Sequence, residues 1–236
     1  MAQKKLLRFE AIKSFSNVLQ YPEGIAGKWN NFFKNNNPIT IELACGRGEY
    51  TVGLAKMFAE KNFIGIDLKG NRIYTGAKKC IEEKLINAAF LRIQIDKIDY
   101  YFIKNEVKEI WITFPDPQLR TSKAKKRLTH PKFLRLYQQI LIDGGLIHLK
   151  TDSPDLYAFT LLVIEMYNLQ MHENSSDVYA QTEIKEALKI KTHYEKLDIA
   201  QSKRIHYLCF SLPAKPLTDI DEVLQQRLKL NESAVD

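Results

Sequence analysis

An acidic residue held between two prolines is the feature of this sequence best suited to chemistry. The stretch Ile112–Gln118 begins with apolar residues and reaches Asp116, which lies between Pro115 and Pro117. Each proline fixes its own backbone φ and restricts the residue before it, so Phe114 and Asp116 are expected to be extended, and the carboxylate has few directions in which to point. The same stretch also fits a plain turn in which an Asp side chain bonds to its own backbone. Local sequence leaves both interpretations open.

The elements that must position Asp116 are predicted by short apolar runs that alternate with amphipathic stretches from Ile39 onward. This alternation is typical of βαβ units and a mostly parallel sheet. The predicted strands cover residues 39–44, 62–67, 89–95, 108–114, 145–150 and 205–212. The predicted helices cover residues 28–33, 48–60, 70–84, 131–142, 154–168 and 219–230. The Gly144-Gly145 pair is expected to end the helix at 131–142 and lead into the next strand.

The expected organisation is one α/β domain with two extensions. The domain covers residues 38–212, preceded by a basic, mobile N-terminal arm with a short helix, residues 1–37. A polar tail with a short helix, residues 213–236, follows it. A chain of this length can bury a core without disulfides.

The first predicted strand leads into a glycine-containing turn before a helix. Gly46 and Gly48 let a ligand approach the backbone closely, and exposed N–H groups at a helix start attract polar or anionic ligand atoms. Asp67, at the end of the next strand, is suited to accept both hydroxyl groups of a ribose. A dinucleotide fingerprint needs a glycine where this chain has Thr51, and a pyrophosphate is disfavoured near Glu42. The cationic, phosphate-free S-adenosyl-L-methionine fits better, although Glu42 also fits an acid that only satisfies local backbone.

Basic residues follow the acidic corner directly. The formal net charge is +7 and the pI is about 9.1, and no acidic residue interrupts the segment from Arg120 to Lys132. Such a segment attracts phosphate backbones. We therefore expect contacts with nucleic acid from Lys123, Lys125, Lys126 and Arg127. A solvated charged surface is the alternative.

The composition also excludes several classes of protein. With 45% hydrophobic and 27% charged residues the chain is not wholly disordered. No apolar run approaches the ~18 residues that a membrane span needs, and the first residues lack the apolar core of a signal peptide. The three cysteines and five histidines show no metal-ligand or disulfide-framework spacing. We expect a cytoplasmic protein with reduced thiols and no bound metal.

Six motifs occur in order between residues 38 and 212. They are Ile41-Glu42-x-x-x-Gly46-x-Gly48, Ile64-Gly65-Ile66-Asp67, Phe114-Pro115-Asp116-Pro117, Lys126-Arg127-Leu128-Thr129, His148-Leu149-Lys150-Thr151-Asp152 and Thr192-x-Tyr194-Glu195. This set resembles the tRNA (guanine-N7-)-methyltransferase family of the bacterial single-chain type. The resemblance implies a Rossmann-like class I methyltransferase fold, with a mostly parallel seven-stranded sheet, one antiparallel strand and helices on both faces. It also implies methyl transfer from S-adenosyl-L-methionine to N7 of the variable-loop guanine, guanosine 46, of tRNA.

The resemblance also assigns roles to individual residues. The cofactor would be held by Glu42, Gly46, Gly48, Asp67, Gln94 and Asp116. The catalytic residue would be Asp116, between the methionine moiety and the target base. The substrate would contact Arg120, Asp152, Thr192, Tyr194 and Glu195.

Three positions depart from the family pattern. Gln94 stands where an acid is common, so the backbone or Asp96 is an alternative contact for the adenine. Ala44 replaces a common glycine, and Gln118 replaces a common tryptophan, which leaves base stacking at that position open. The sequence leaves a monomer and a homodimer both open.

The implied chemistry needs no general base, because guanine N7 carries an in-plane lone pair and no proton. Positioning and electrostatics must then supply the rate, and Asp116 would favour the cationic product. Glu195 or Asp152 would accept the two donors on the pairing edge of guanine. Thr192 and Glu195 also fit a helix capping box, and Ser153 fits a helix cap. A methyltransferase acting on an exocyclic amine of RNA or DNA, and a catalytically silent RNA-binding protein, are the competing functions.

Overall fold

The structure is a computed structural model, and it describes residues 2–197, 201 and 203–233. Met1, residues 198–200 and 202 of the predicted domain, and residues 234–236 of the predicted tail lie outside the described residues. Within the described ranges, no helix is long and apolar enough to cross a membrane.

The described residues form eight strands and eight α-helices. The strands are β1 (Val18–Gln20), β2 (Ile39–Leu43), β3 (Asn62–Asp67), β4 (Ala88–Arg92), β5 (Val107–Thr113), β6 (Leu141–Thr151), β7 (Gln170–Ser175) and β8 (His206–Ser211). The helices are α1 (Ala2–Ala11), α2 (Trp29–Phe33), α3 (Glu49–Met57), α4 (Gly70–Glu82), α5 (Pro131–Tyr137), α6 (Pro154–Met166), α7 (Glu186–Lys189) and α8 (Asp221–Ser233). A 3-10 helix, Thr121–Lys126, connects β5 to α5.

All eight strands belong to one sheet, in the order β1-β4-β3-β2-β5-β6-β8-β7. Neighbours from β1 to β6 pair in parallel, and β8 is antiparallel to both β6 and β7. The Rossmann-like fold with one antiparallel strand is confirmed. The sheet has one strand more than the seven expected, because Val18 lies opposite Phe90 and pairs β1 with β4. This strand was not predicted, since its three residues are all only half-buried and show no alternation.

The apolar core is divided between the two faces of the sheet. Residues of α2, α5, α6 and α8, such as Trp29 and Leu224, pack on one face. Residues of α3 and α4, such as Tyr50 and Ile73, pack on the other. Because helices cover both faces, every residue of β2 and β3 is buried. The prediction of helices on both faces is confirmed.

The segment between α5 and β6 differs from the prediction. The helix expected to end at Gly144-Gly145 ends at Tyr137, and β6 already begins at Leu141. Val107 lies opposite Leu141 but Glu109 lies opposite Leu146, so extra residues are accommodated in β6 at this point. Gly144 has a φ of +73°, which lets the chain bulge out of the ladder. The prediction that this glycine pair ends a helix was wrong.

The N-terminal residues pack on the rest of the protein. Helix α1 contacts α4, and Ile12 is fully buried. The guanidinium of Arg92 lies 4.7 Å from the ring of Phe9 and 5.1 Å from that of Tyr21, and its Nε donates to the carbonyl of Leu68 at 3.0 Å. The expectation of a mobile arm does not fit these contacts. The domain boundaries at residues 38 and 212 stay predictions.

Candidate active site

A pocket of about 610 Å³ opens where the carboxyl ends of β2, β3, β5 and β6 meet. In open parallel sheets this edge is where ligands bind. The predicted site residues that line it are Asp67, Asp116, Asp152 and Tyr194. A neighbouring pocket of about 460 Å³ shares Asp67 and adds Gln94 and Asp96. The two pockets together form one groove. Residues from five of the six motifs line it, together with Gln94 and Asp96.

The Pro-Asp-Pro corner forms the wall of the larger pocket. The N–H of Phe114 donates to the carbonyl of Lys150 at 2.8 Å, which extends the β5–β6 pairing by one residue. Phe114 then adopts a φ of +47°, so the prediction that it is extended was wrong. The requirement to pair with Lys150 and then turn at once outweighs the usual restriction before proline, at a cost of order 1–3 kcal/mol. Strain of this kind is typical of functional sites.

The carboxylate of Asp116 combines the two interpretations that the sequence left open. Its Oδ1 accepts a hydrogen bond from the N–H of Gln118 at 3.0 Å, which is the turn interaction. Asp116 is nevertheless exposed and lines the pocket. The hydrogen bond within the turn therefore orients the carboxylate and leaves it exposed at the pocket.

Arg127 holds this corner from behind. It is 4% exposed, and its guanidinium donates to the carbonyls of Pro117 at 3.2 Å, Gln118 at 3.2 and 3.1 Å, and Leu119 at 3.1 Å. Its Cζ also lies 4.5 Å from the ring centroid of Phe159. This burial does not fit the predicted contact between Arg127 and a phosphate backbone. The planar guanidinium group of Arg127 donates to three carbonyls at once, and these hydrogen bonds stabilise the side chain in its buried position.

The three lysines grouped with Arg127 in the sequence analysis are placed differently. Lys123, Lys125 and Lys126 are exposed on the 3-10 helix Thr121–Lys126. Lys125 and Lys126 also line the smaller pocket beside Gln94. Arg120 is exposed at the start of this helix and is not among the lining residues of either pocket.

Glu42 lies under the glycine turn and does not line either pocket. Its Oε2 accepts from the N–H of Thr51 at 2.8 Å and from the Thr51 hydroxyl at 2.6 Å, and its Oε1 accepts from the Thr113 hydroxyl at 2.8 Å. Burial raises the pKa of Glu42 to about 7, against the opposing effect of these hydrogen bonds. The carboxyl group ties the first turn of α3 to the end of β5, as the local interpretation of Glu42 had it.

Asp67 shapes the glycine turn from the pocket side. Its Oδ2 accepts from the N–H of Gly46 at 2.9 Å, and its Oδ1 accepts from the N–H of Lys69 at 2.8 Å. The turn between β2 and α3 contains three residues with left-handed backbone, Ala44 at +54°, Gly46 at +56° and Gly48 at +73°. Such backbone favours glycine, so the alanine at position 44 is under strain.

Tyr194 closes the turn from above. Its ring lies 3.7 Å from where a Cβ on Gly46 would be, and the guanidinium of Arg72 lies 5.5 Å from its ring centroid. The hydroxyl of Thr192 accepts from the N–H of Glu195 at 3.1 Å, so the predicted threonine cap is present. The cap of Ser153 is also confirmed, since its hydroxyl accepts from the N–H of Leu156 at 3.2 Å.

Glu195 is engaged by a lysine to which the sequence analysis gave no role. The Lys150 ammonium lies 3.0 Å from Glu195 Oε2 and donates to the carbonyls of Leu188 at 2.8 Å and Ile190 at 3.1 Å. The Tyr179 hydroxyl bonds to the other oxygen of Glu195. Lys150 is fully buried, and this burial lowers its pKa while Glu195 opposes the shift. Lys150 thus ties the segment that carries Tyr194 to the end of β6.

Among the described residues, neither a cysteine thiol nor a cluster of metal ligands forms part of this groove. Cys45, Cys80 and Cys209 are buried and free, and burial raises the pKa of the Cys45 thiol. Across the described ranges, no three His, Cys, Asp or Glu side chains are grouped so that they could hold a metal ion.

The lining of the larger pocket suits a ligand with positive charge. Its four carboxyl groups, on Asp67, Asp116, Asp152 and Asp155, outnumber its two basic side chains, Lys69 and Arg72. S-adenosyl-L-methionine carries a sulfonium and an ammonium group, both of which a carboxylate attracts. The residues that line this pocket therefore fit that cofactor.

Comparison with known proteins agrees with this geometry. A family model described as "Putative methyltransferase" matches residues 36–208. The chain is 47% identical over 213 residues to a tRNA (guanine-N(7)-)-methyltransferase of Porphyromonas gingivalis, covering 85% of this chain and 86% of that protein. It is 43% identical to the corresponding protein of Christiangramia forsetii, covering 89% and 99%. The solved 16S rRNA methyltransferase KamB superposes with a TM-score of 0.60 at 10% identity over 79% of this chain and 93% of that one, a likeness in fold alone.

Proposed function

The chain belongs to the tRNA (guanine-N(7)-)-methyltransferase family, and we propose that it methylates N7 of guanosine 46 in the variable loop of tRNA, with S-adenosyl-L-methionine as the methyl donor. The observation that carries the proposal is the shared pocket of Asp67, Asp116, Asp152 and Tyr194. The smaller pocket shares Asp67 with it and adds the exposed Lys125 and Lys126, so a suitable cofactor site adjoins a segment rich in lysines.

The cofactor half of the groove is built around Asp67. When bound, S-adenosyl-L-methionine supplies an electrophilic methyl group. Asp67 lines both pockets and its Oδ2 accepts a hydrogen bond from the N–H of Gly46, which supports a role for it in accepting ribose hydroxyl groups. Gln94 and Asp96 both line the smaller pocket, which supports either of them as the contact for the adenine. Glu42 lies beneath the glycine turn, where it holds the start of α3 in place by accepting a hydrogen bond from the N–H of Thr51.

Asp116 acts as a positioning and charge-stabilising acid. Guanine N7 has no proton to lose, so its lone pair attacks the methyl carbon directly and the base becomes cationic. An exposed carboxylate aimed by its turn and held in place through Arg127 favours this charge as it forms. The preorganised corner supplies the electrostatic part of catalysis, and the pocket supplies orientation.

Asp152 is the better candidate for reading the pairing edge of guanine. A single carboxylate accepts both N1–H and the exocyclic amine. Asp152 is among the residues that line the larger pocket, whereas Glu195 is not and is held by Lys150 and Tyr179. Glu195 and Thr192 then serve to hold Tyr194 over the cofactor turn.

The test is to incubate the protein with unmethylated tRNA and labelled S-adenosyl-L-methionine and to map the modified base. N7 methylation labilises the glycosidic bond, so reduction followed by mild aniline treatment breaks the strand at guanosine 46. Label at an exocyclic amine leaves the strand intact and would contradict the proposed target atom. Absence of transfer would contradict the enzyme assignment altogether.

A pair of variants tests the role of Asp116. We expect Asp116→Ala to lower kcat/KM by about 100-fold or more, because one preorganised electrostatic contact is worth that much. Asp143→Ala is the control, since Asp143 is an exposed acid in the β6 bulge, away from the pocket. Near-normal turnover of a folded Asp116→Ala protein would remove Asp116 from its assigned role.

A further inference from the structure

A third pocket, of about 540 Å³, lies between the 3-10 helix Thr121–Lys126 and helix α8. It is lined by Thr121, Ser122, Lys125, Gln225 and Lys229. Every lining residue carries a hydroxyl, amide or ammonium group, and none is acidic. Lys125 also lines the pocket beside Gln94, so it connects this third pocket to the candidate active site.

Helix α8 is firmly attached, so its side chains are held in place at this pocket. Both terminal nitrogens of the Arg135 guanidinium donate to the carboxylate of Asp221, at 3.1 and 2.7 Å, and the Tyr167 hydroxyl donates to Asp221 Oδ1 at 3.1 Å. Leu224 is fully buried in the core. These contacts fix the start and the inner face of the helix.

The basic residues of α8 lie on different faces of the helix. Gln225 and Lys229 are four residues apart, so they share one face of the helix, and that face lines the pocket. Arg227 points elsewhere, toward Glu165 at 3.3 Å. Among the described residues, the ion pairs include no acidic partner for Lys125 or Lys229. Two ammonium groups therefore face a polar cavity without a carboxylate between them.

We propose that this pocket binds a phosphate group of the tRNA backbone, and that α8 is thereby part of the tRNA-binding surface. Two ammonium groups with neutral donors around them match the oxygens of a phosphodiester, which accept several charge-assisted hydrogen bonds. A carboxylate ligand would leave part of this donor set unused. The inference rests on the proposed function, because it takes tRNA as the source of the phosphate.

The experiment measures tRNA binding by the full chain over a series of salt concentrations, with Lys229→Gln compared against Arg227→Gln. Both variants remove one positive charge from the same helix, but only Lys229 lines the pocket. We expect Lys229→Gln to weaken binding about three- to tenfold and to reduce the slope of log affinity against log salt by about one. Arg227→Gln should stay within about twofold of the wild type. Lys229→Arg, which keeps the charge, should restore most of the affinity.

The outcomes separate this inference from the proposed function. If the wild type methylates tRNA while Lys229→Gln binds tRNA like Arg227→Gln, the pocket does not hold a phosphate and the enzyme assignment stands. If the wild type transfers no methyl group to tRNA, the enzyme assignment fails, and the salt slopes still decide on the pocket. Thermal unfolding and S-adenosyl-L-methionine binding of each variant show whether the substitution acts only on the tRNA site. A folded Lys229→Arg protein that binds tRNA as weakly as Lys229→Gln would also overturn the inference, because it keeps the charge.

Discussion

Glu42 and Asp67 lie near the ends of adjacent strands, yet their surroundings give them different functions. Asp67 is 8% exposed and lines both pockets while it bonds to two backbone N–H groups. Glu42 is 3% exposed, and its three hydrogen bonds come from Thr51 and Thr113. The pairing of these strands explains the difference, since Glu42 lies opposite Gly65 and Trp111 in the middle of the sheet. Glu42, buried at this position, therefore stabilises the strands and the helix start that form the site.

At this scale we predict a pH-dependent stability that originates from Glu42. Burial raises its pKa from 4.5 to about 7, so the folded state holds this proton more tightly than the unfolded state does. The corresponding stability is complete below about pH 4.5 and is lost as pH rises toward 7, on the order of 3 kcal/mol in all. Glu42→Gln cannot ionise, so the free energy of unfolding of the variant should gain on that of the wild type between these pH values.

Urea unfolding at several pH values measures this difference. Glu60→Gln, which removes a carboxyl group from the exposed surface after α3, controls for the change in net charge. A difference between Glu42→Gln and the wild type that stays constant from pH 4.5 to 7 would show that Glu42 keeps its ordinary pKa.

The turn from β2 into α3 determines the shape of the cofactor half of the groove. A Cβ on Gly48 would lie 2.5 Å from Cε1 of Phe90, which is fully buried in β4. Gly144, in the bulge of β6, has the same φ of +73°, but a Cβ there would meet nothing within 4 Å. The two glycines thus share the backbone requirement and differ in the space around them.

We predict that Gly48→Ala and Gly144→Ala differ in cost for this reason. Both pay for an L residue in left-handed backbone, about 1 kcal/mol. Gly48→Ala must also displace Phe90, which adds about 1–3 kcal/mol. Denaturant unfolding should therefore show the larger loss for Gly48→Ala, together with weaker S-adenosyl-L-methionine binding. Equal losses would mean that the turn moves freely away from β4.

Positive charge is distributed unevenly over the molecule. The exposed lysines of Thr121–Lys126 surround the carboxyl-end edge of the sheet. Helices α3 and α4 begin at that edge and run away from it, and basic residues near their far ends meet acids, as in Lys56 with Glu83 and Lys78 with Glu82. We therefore expect the lysines of Thr121–Lys126 to attract a polyanion more than the ion-paired lysines of α3 and α4 do.

Two triple variants with equal net charge test this asymmetry. Replacing Lys123, Lys125 and Lys126 with Gln should weaken tRNA binding by about 10- to 100-fold and reduce its salt slope by about two to three. Replacing Lys56, Lys78 and Lys79 with Gln should change the affinity by only a few-fold. Equal effects of the two sets would show that overall charge, and not a local surface, attracts the tRNA.

The sequence by itself determined the sheet and the edge at which the site lies. Alternating apolar and amphipathic runs predict the βαβ order, and that order places the ends of successive strands at one edge, where Asp67, Asp116 and Asp152 meet. The six motifs added the family. These features can be predicted from the sequence because they depend on residues that are neighbours in the chain.

Only the tertiary structure decided which of the predicted polar residues face the ligand. Arg127 and Lys126 are adjacent and both basic, yet Arg127 turns inward to the carbonyls of the Pro-Asp-Pro corner. Glu195 is taken up by Lys150, 45 residues earlier in the chain, and Gln225 and Lys229 meet the basic segment only because α8 docks there. These placements depend on contacts between residues distant in sequence, for which local periodicity and residue type carry no signal.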